Sequence, residues 1–396
     1  MIAYRLSVTY VLSIYLPPSA TSPERTLWGL ISVCGESIDV SVQQLRGEDK
    51  DLSLNVMISL HDFEERIGEI TEQLVHSAET DGFFVLINHG IDLSTISQMF
   101  ETSRKFFSLP ISTKFLIPFT PIHNIGWEQN SQVRPSTGVA DQKESYQLQF
   151  NTSMSNYWLD EKILPGFREE VKRFMTACQE LSEKLMVCFE KGLGVEEGMF
   201  VKAHDISRAE SQTVLRLLHY FKVNRELENK DWVRAGPHVD WSFLTLLFQN
   251  LGQAGLEICP GREVSGDFGW GDEWTKIHPG EGEVVCNIGD CLMWWSGDRF
   301  RSTFHRVVTP RARTNGTDGD GDEDDGDGDG DGYGDEAWGD RYSLAFFNNP
   351  CEDVVIRGKE GEMTGREFTE RAMGRNFSGV RENLRQKERE MGKVGV

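Results

Sequence analysis

Short apolar segments separated by turn residues fill the second half of the chain, and this pattern constrains the fold more than any other feature. They cover residues 214–220, 243–248, 256–259, 284–288, 291–295, 303–308 and 342–347. Short runs rich in β-branched and aromatic residues and bounded by Gly, Asn, Asp or Pro are typical of strands. A series of such strands predicts an antiparallel sandwich or barrel.

Helical periodicity dominates the first half. Apolar residues at three- and four-residue spacing predict a helix from Phe63 to about Asp81, a second over 93–107 and a long third over 166–191, which Gly192 and Gly194 end. A short buried strand is predicted at 83–87 and a last helix at 364–373. The fold class is therefore mostly β with flanking helices and an N-terminal helical region.

Composition excludes several classes of protein. The chain has 396 residues, 38% of them hydrophobic, which is enough to form a core, and its net charge of −22 disfavours nucleic acid and anionic membranes as partners. We find no apolar run of the ~18 residues that a membrane helix needs. The seven cysteines form no CxxC pair, so we expect a reducing, cytoplasmic location.

An Asp/Gly-rich tract interrupts the predicted strands at residues 316–339. It holds eleven acidic residues between Asp318 and Glu336, half of the net charge. Since such a sequence has almost no side chain to bury, we expect a solvated loop. One register matches a calcium-binding loop, but a DG repeat produces such a match by chance.

The segment Pro237-His238-Val239-Asp240 carries the sharpest chemical signal. In extended backbone, residues i and i+2 face the same side, so His238 and Asp240 can bind one ion. His305, in a later predicted strand, is the candidate third ligand. Two imidazoles and a carboxylate leave coordination positions open, which suits Fe(II) that must bind a co-substrate and O2. The alternative for each histidine is an ordinary structural role.

A second i, i+2 pair, Arg341 and Ser343, begins the last predicted strand. A guanidinium and a hydroxyl on one face can bind a carboxylate at two points. A buried arginine needs an anionic partner, so an external anionic ligand is one interpretation. An internal salt bridge with Asp or Glu is the other.

These motifs together resemble a known family. The order His-x-Asp, distant His, Arg-x-Ser is similar to that of the Fe(II)- and 2-oxoglutarate-dependent dioxygenases of the isopenicillin N synthase-like group, especially the thymine-hydroxylase type. The resemblance extends from Phe63 to Pro350 and includes residues 81–90, 215–220, 243–249, 255–258, 287–290 and 301–307. It implies a double-stranded β-helix core, that is, a jelly-roll, cupin-like fold.

The resemblance also implies roles for single residues. His238, Asp240 and His305 would hold Fe(II), while Arg341 and Ser343, joined by Tyr220, would bind 2-oxoglutarate. With O2, oxidation of a small organic molecule would release succinate and CO2. Many relatives have proline where this chain has Phe221. The first strand of the family is hard to place, with 38–42 or 55–60 as candidates.

Domain boundaries follow from the same pattern. Residues 1–57 are an unassigned, poorly ordered extension, 58–165 an N-terminal non-haem dioxygenase region and 166–194 a long backing helix. The barrel covers 210–350 with the acidic insert 316–339, and 351–396 form a helical tail.

Function has three candidate classes. The first is a hydroxylase or desaturase that uses 2-oxoglutarate in specialised metabolism, the second an Fe(II) oxidase or cyclase that does not use it, and the third a catalytically silent binding protein. In each case we expect a monomer with a small-molecule ligand. Lys143 and Arg234 are near the motifs, but we interpret both as structural.

Overall fold

The structure is a computed structural model of the chain. It describes residues 57–132, 140–222, 234–253, 255–259, 274–278, 280–308 and 339–376. All but the last residue of the predicted extension 1–57, all but the last residue of the acidic insert 316–339 and the end of the tail beyond residue 376 lie outside these ranges.

Seven α-helices are present in the described residues. They are α1 (Phe63–Thr80), α2 (Leu93–Phe107), α3 (Ile111–Lys114), α4 (Phe167–Leu193), α5 (Met199–Ala203), α6 (Asp290–Trp295) and α7 (Gly365–Asn376), and a 3-10 helix covers Thr152–Tyr157. The three long helices predicted before the strands are confirmed. No helix in the described ranges is both long and apolar enough to cross a membrane.

The described strands lie mostly in the second half of the chain. They are β1 (Met57–Ser59), β2 (Phe83–Ile87), β3 (Gly126–Gln129), β4 (Lys143–Gln149), β5 (Val214–Tyr220), β6 (Ala235–His238), β7 (Leu244–Gln249), β8 (Leu256–Ile258), β9 (Thr275–Ile277), β10 (Val284–Ile288), β11 (His305–Val307), β12 (Arg341–Asn348), β13 (Val355–Gly358) and β14 (Gly361–Thr364).

Two sheets carry the residues of the site. The larger has eight strands in the order β1-β2-β10-β7-β12-β5-β4-β3, and the smaller has four in the order β6-β11-β8-β9. All the pairs are antiparallel except β1 with β2. The fold is therefore mostly β with flanking helices, as the sequence predicts.

Helix α4 packs its apolar stripe into the main core. Phe174, Leu181 and Leu185 are fully or almost fully buried, and the Phe174 ring meets Phe248 of β7 edge-on at 5.1 Å between centroids. Gly194 ends the helix with φ of 68°, a left-handed conformation in which glycine has no steric penalty. This helix covers the larger sheet on one side.

The strand predicted at residues 291–295 is wrong, because this segment is helix α6. The backbone N–H of Cys291 donates to Ser242 O, and that of Met293 donates to Gly289 O, which starts a helical turn. Trp295 then packs against the rings of Phe200 and Phe243. A short apolar run suits a buried helix as well as a buried strand, so periodicity could not separate them.

Strand β4, which lies next to the edge strand β3 of the larger sheet, was not predicted from the sequence. Strand β4 reads Lys-Glu-Ser-Tyr-Gln-Leu-Gln, yet all seven of its residues are buried. Its polar side chains bond to one another and to neighbouring strands, which an alternation of apolar residues cannot reveal. Of the two candidates for the first strand, 55–60 contains β1; the other, 38–42, lies outside the described residues.

Candidate metal centre and co-substrate pocket

The smaller sheet brings His238 and His305 side by side. His238 is the last residue of β6 and His305 the first of β11, and the two are direct partners in the antiparallel ladder. Their ring centroids are 4.3 Å apart. Asp240 follows β6 after a single intervening residue, so the predicted i, i+2 pair turns its carboxylate toward the same point.

These residues, here called the His/Asp/His triad, are placed to share one ion. One ligand atom from each lies within 4.8 Å of the other two. Nε2 of His305 is 3.7 Å from Oδ1 of Asp240, which is less than twice the ~2.0–2.2 Å length of a bond from a divalent transition metal to N or O. His305 is 7% exposed, so water is largely kept from this side of the triad.

Backbone carbonyls orient both imidazoles. Nδ1 of His238 donates to Gly236 O at 2.7 Å, and Nδ1 of His305 donates to Thr303 O at 3.2 Å. A proton on Nδ1 fixes the tautomer in which Nε2 carries the lone pair that binds a metal. The Phe83 ring packs edge-on against His305 at 5.5 Å and limits its rotation.

The carboxylate of Asp240 is held by two side chains that sequence reasoning did not identify. Its Oδ2 accepts hydrogen bonds from Thr245 Oγ1 at 2.8 Å and Asn287 Nδ2 at 2.9 Å. Oδ1 is then the oxygen that faces the histidines. Thr245 and Asn287 are partners across β7 and β10, a relationship that only strand pairing reveals.

Arg341, Ser343 and Tyr220 form a second group, here called the arginine end of the pocket. Arg341 and Tyr220 are directly paired across β12 and β5, and Ser343 lies two residues along the same face of β12. The Arg341 guanidinium carbon is 4.9 Å from the centre of the Tyr220 ring. The structure thus brings all three predicted residues together.

Arg341 is a buried cation, and its hydrogen-bond acceptors in the described residues are neutral. Its Nε donates to Gln253 O at 3.0 Å and its Nη2 to Gln249 Oε1 at 2.6 Å. Within the described residues, neither its Nη1 nor the hydroxyl of Ser343 has a hydrogen-bond partner. The internal salt bridge is therefore not found in this part of the chain. These two unsatisfied donors, one on the guanidinium itself and one on the neighbouring serine, fit a carboxylate ligand.

Both groups line a single pocket between the two sheets. A ligand with one carboxylate at the arginine end can therefore reach the triad with its other end. Such an arrangement suits a small dicarboxylic keto acid that also chelates a metal.

Comparison with known proteins agrees with this geometry. Residues 56–165 match the family described as non-haem dioxygenase in morphine synthesis N-terminal, and residues 212–350 match the 2OG-Fe(II) oxygenase superfamily. A proline hydroxylase of Petromyces alliaceus, buaE, is 31% identical over 289 residues, which are 70% of this chain and 80% of that protein. The chain belongs to the 2OG-Fe(II) oxygenase superfamily.

Other relatives of this oxygenase are consistent with that assignment. The 2-oxoglutarate-dependent dioxygenase htyE of Aspergillus rugulosus is 31% identical over 69% of this chain and 80% of its own length. The full-length thymine hydroxylase of Neurospora crassa, solved with α-ketoglutarate and thymine, superposes with a TM-score of 0.65 at 26% identity. That comparison covers 82% of this chain and 98% of the thymine hydroxylase.

The protein is thus a 2-oxoglutarate-dependent dioxygenase that uses Fe(II) and O2. When bound, Fe(II), 2-oxoglutarate and O2 would together supply the oxidant for a second, small organic molecule, and the 2-oxoglutarate would be converted to succinate and CO2. An oxidase or cyclase independent of 2-oxoglutarate is not favoured, since several of the relatives are named for this co-substrate.

Arg234 adds positive charge behind the arginine end of the oxygenase pocket. Burial and, after it, the nearby charge of Arg341 lower the pKa of Arg234 to about 10. Its Nη2 donates to Gly339 O at 2.7 Å. Arg234 is not among the residues that line the pocket, which agrees with the structural interpretation of this side chain.

Lys143 has a mixed outcome. It forms a buried ion pair with Asp141 at 2.9 Å, as a structural residue would, but it also lines the pocket. Trp241 likewise packs against the core and lines the pocket. Lys143 and Trp241 differ from ordinary core residues because they line the pocket, and the sequence alone could not show this.

Proposed function

We propose that this dioxygenase hydroxylates or desaturates a small polar, ring-containing metabolite, with Fe(II) held by His238, Asp240 and His305. The single observation that carries this proposal is the convergence of the triad within 4.8 Å, in the same pocket as Arg341 and Ser343. Tyr220, Arg341 and Ser343 bind the distal carboxylate of 2-oxoglutarate. The unsatisfied donors of Arg341 and Ser343 support this role.

The side of the pocket away from the arginine end provides the substrate site. Phe347 and Arg216 lie on the pocket-facing sides of β12 and β5, and the Arg216 guanidinium stacks 5.2 Å from the centre of the Phe347 ring. Trp241, Asn124 and Gln132 also line the pocket. Aromatic faces beside amide and guanidinium groups suit a compact ring that carries carbonyl or carboxylate oxygens.

Relatives support the same class of substrate. One is named a proline hydroxylase, and the structure of the thymine hydroxylase contains thymine. Proline and thymine are both small polar rings. The fungal sources of these relatives support a place in specialised metabolism.

We also propose the finer architecture and setting that the sequence predicted. The strands of the two sheets that lie within 210–350 form a jelly-roll core, with the dioxygenase N-terminal region at 58–165, the backing helix at 166–194 and a helical tail from 351. Six buried free cysteines in the described residues support a reducing, cytoplasmic location. The enzyme acts as a monomer, without nucleic acid, which the net charge of −22 supports.

The test is product formation from 2-oxoglutarate. Purified enzyme with Fe(II), ascorbate and O2 is supplied with panels of proline-like and pyrimidine-like rings, and succinate and substrate mass are both measured. The proposal predicts succinate in step with a product heavier by one oxygen or lighter by two hydrogens. The matched control is His238→Ala, which should form neither. Succinate formation that no small ring stimulates would contradict the proposed substrate class.

A further inference from the structure

The strand that carries the first triad residue is weakly held by its own sheet. Among the described strands, β6 forms an edge of the smaller sheet and pairs only with β11. That ladder is irregular, since its register shifts between the pairs His305–His238 and Val307–Ala235. An edge strand with an interrupted ladder needs other contacts to fix its position.

Asp141 supplies such a contact. Its Oδ1 accepts a hydrogen bond from the backbone N–H of Gly236 at 3.2 Å. The carbonyl of the same Gly236 accepts the Nδ1–H of His238 at 2.7 Å. The carboxylate therefore holds the residue whose carbonyl sets the rotation and tautomer of the histidine ring.

Asp141 is itself rigidly placed. Its side chain is 2% exposed, and its Oδ2 accepts from Lys143 Nζ at 2.9 Å. Its backbone N–H donates to Gln132 O at 2.9 Å. A buried carboxylate with a charged partner and a fixed backbone cannot drift, so Gly236 is held against a stationary group.

We propose that Asp141 is a positioning residue for the metal ligand His238 and acts through Gly236. This inference rests on the proposed role of the triad. Asp141 lies just before β4 of the larger sheet, whereas His238 belongs to the smaller sheet, so the contact ties the metal centre to the opposite sheet. Loss of the Asp141 acceptor releases the Gly236 N–H, so Gly236 can shift together with its carbonyl and the ring of His238 can rotate away from the ion.

A matched pair of variants isolates this hydrogen bond. Asp141→Asn/Lys143→Met and Asp141→Leu/Lys143→Met both lack the ion pair and have similar volume, but only the first keeps an acceptor for Gly236. Co(II) affinity and the visible spectrum of bound Co(II) are measured without co-substrate. The leucine variant should bind Co(II) about 10–100-fold more weakly, the usual cost of losing an outer partner of a metal ligand, and with an altered spectrum. The asparagine variant should stay within a few-fold of wild type.

Thermal unfolding shows whether each variant is folded. If the leucine variant is not, Asp141→Ser/Lys143→Met replaces it, because the serine hydroxyl is one bond too short to reach Gly236. Equal Co(II) affinities and spectra in folded variants with and without the acceptor would overturn the inference. If wild type and His238→Ala bind Co(II) equally, the proposed triad itself fails, so the two failures are distinguishable.

Discussion

His305 and Asp240 approach each other to 3.7 Å between Nε2 and Oδ1, although Asp240 follows strand β6 and His305 begins strand β11. This distance is too long for a hydrogen bond and short enough for one ion to contact both atoms. Each side chain is also fixed by hydrogen bonds: His305 donates to Thr303 O, and Asp240 accepts from Thr245 and Asn287. These hydrogen bonds therefore orient both ligand groups toward one point.

Removal of one imidazole should abolish metal binding without unfolding the protein. His238 is only half-buried at the end of an edge strand, so His238→Ala leaves no large cavity. We expect circular dichroism and the melting temperature of the metal-free protein to stay close to wild type, while Fe(II) binding and turnover fall below detection. A large drop in melting temperature would show that His238 is mainly structural.

Loss of the buried guanidinium should weaken the co-substrate and spare the metal. A hydrogen bond to a charged group contributes about 1.5–3 kcal/mol, so Arg341→Met should raise the Kd of 2-oxoglutarate by about 10–150-fold. Arg341→Lys, which keeps the charge but loses the planar fork, should lie between. Isothermal titration with Mn(II) in place of iron measures both affinities. An unchanged affinity for 2-oxoglutarate would remove Arg341 from the pocket's function.

The amide of Asn287 should matter for iron although it is not a ligand. Asn287→Leu leaves Asp240 Oδ2 with Thr245 as its remaining side-chain partner in the described residues, and we expect about 10–100-fold weaker Fe(II) binding. Asn349→Leu is the matched control, because Asn349 is similarly buried but donates to Gln212 O, and neither Asn349 nor Gln212 lines the pocket. Equal iron affinity in the two variants would count against the role of Asn287.

One buried histidine should make the protein sensitive to acid. Burial lowers the pKa of His204 to about 4, against the effect of its hydrogen bond to Phe200 O. In the unfolded chain the pKa is ordinary, so the unfolded state binds the proton first as pH falls below about 6.5. Stability from this residue is complete above that pH and is lost toward pH 4, by about 1.4 kcal/mol per pH unit.

The corresponding measurement compares wild type with His204→Gln. Urea unfolding at pH 7 and pH 4.5 should show that wild type loses about 2–3 kcal/mol more than the variant between the two conditions. The same pH dependence in both proteins would contradict this assignment.

The proximity of most candidate site residues was predictable because short motifs carry them. His238 and Asp240 share a face by strand geometry, and Arg341 and Ser343 do so for the same reason. His305 was found through its strand-like context and the family resemblance. These three motifs lie together in the structure as expected.

The outer contacts were not predictable, and the reason is physical. Asp141, Thr245 and Asn287 act through contacts between segments that are distant in sequence, and no sequence pattern gives any of them this role. The prediction of a strand at 291–295 failed for a different reason. A short apolar run fits a buried helix or a buried strand, and tertiary contacts determine which of the two forms. Local sequence determines which side chains an element places on one face, but not which residues pack against that face.

The proposed site is tested most directly by anomalous diffraction from crystals grown anaerobically with Fe(II) and 2-oxoglutarate. We expect a single strong iron peak within bonding distance of His238 Nε2, Asp240 Oδ1 and His305 Nε2, with density for 2-oxoglutarate that ends in a carboxylate at Arg341 and Ser343. An iron peak elsewhere, or a co-substrate carboxylate bound away from Arg341, would contradict the proposed site.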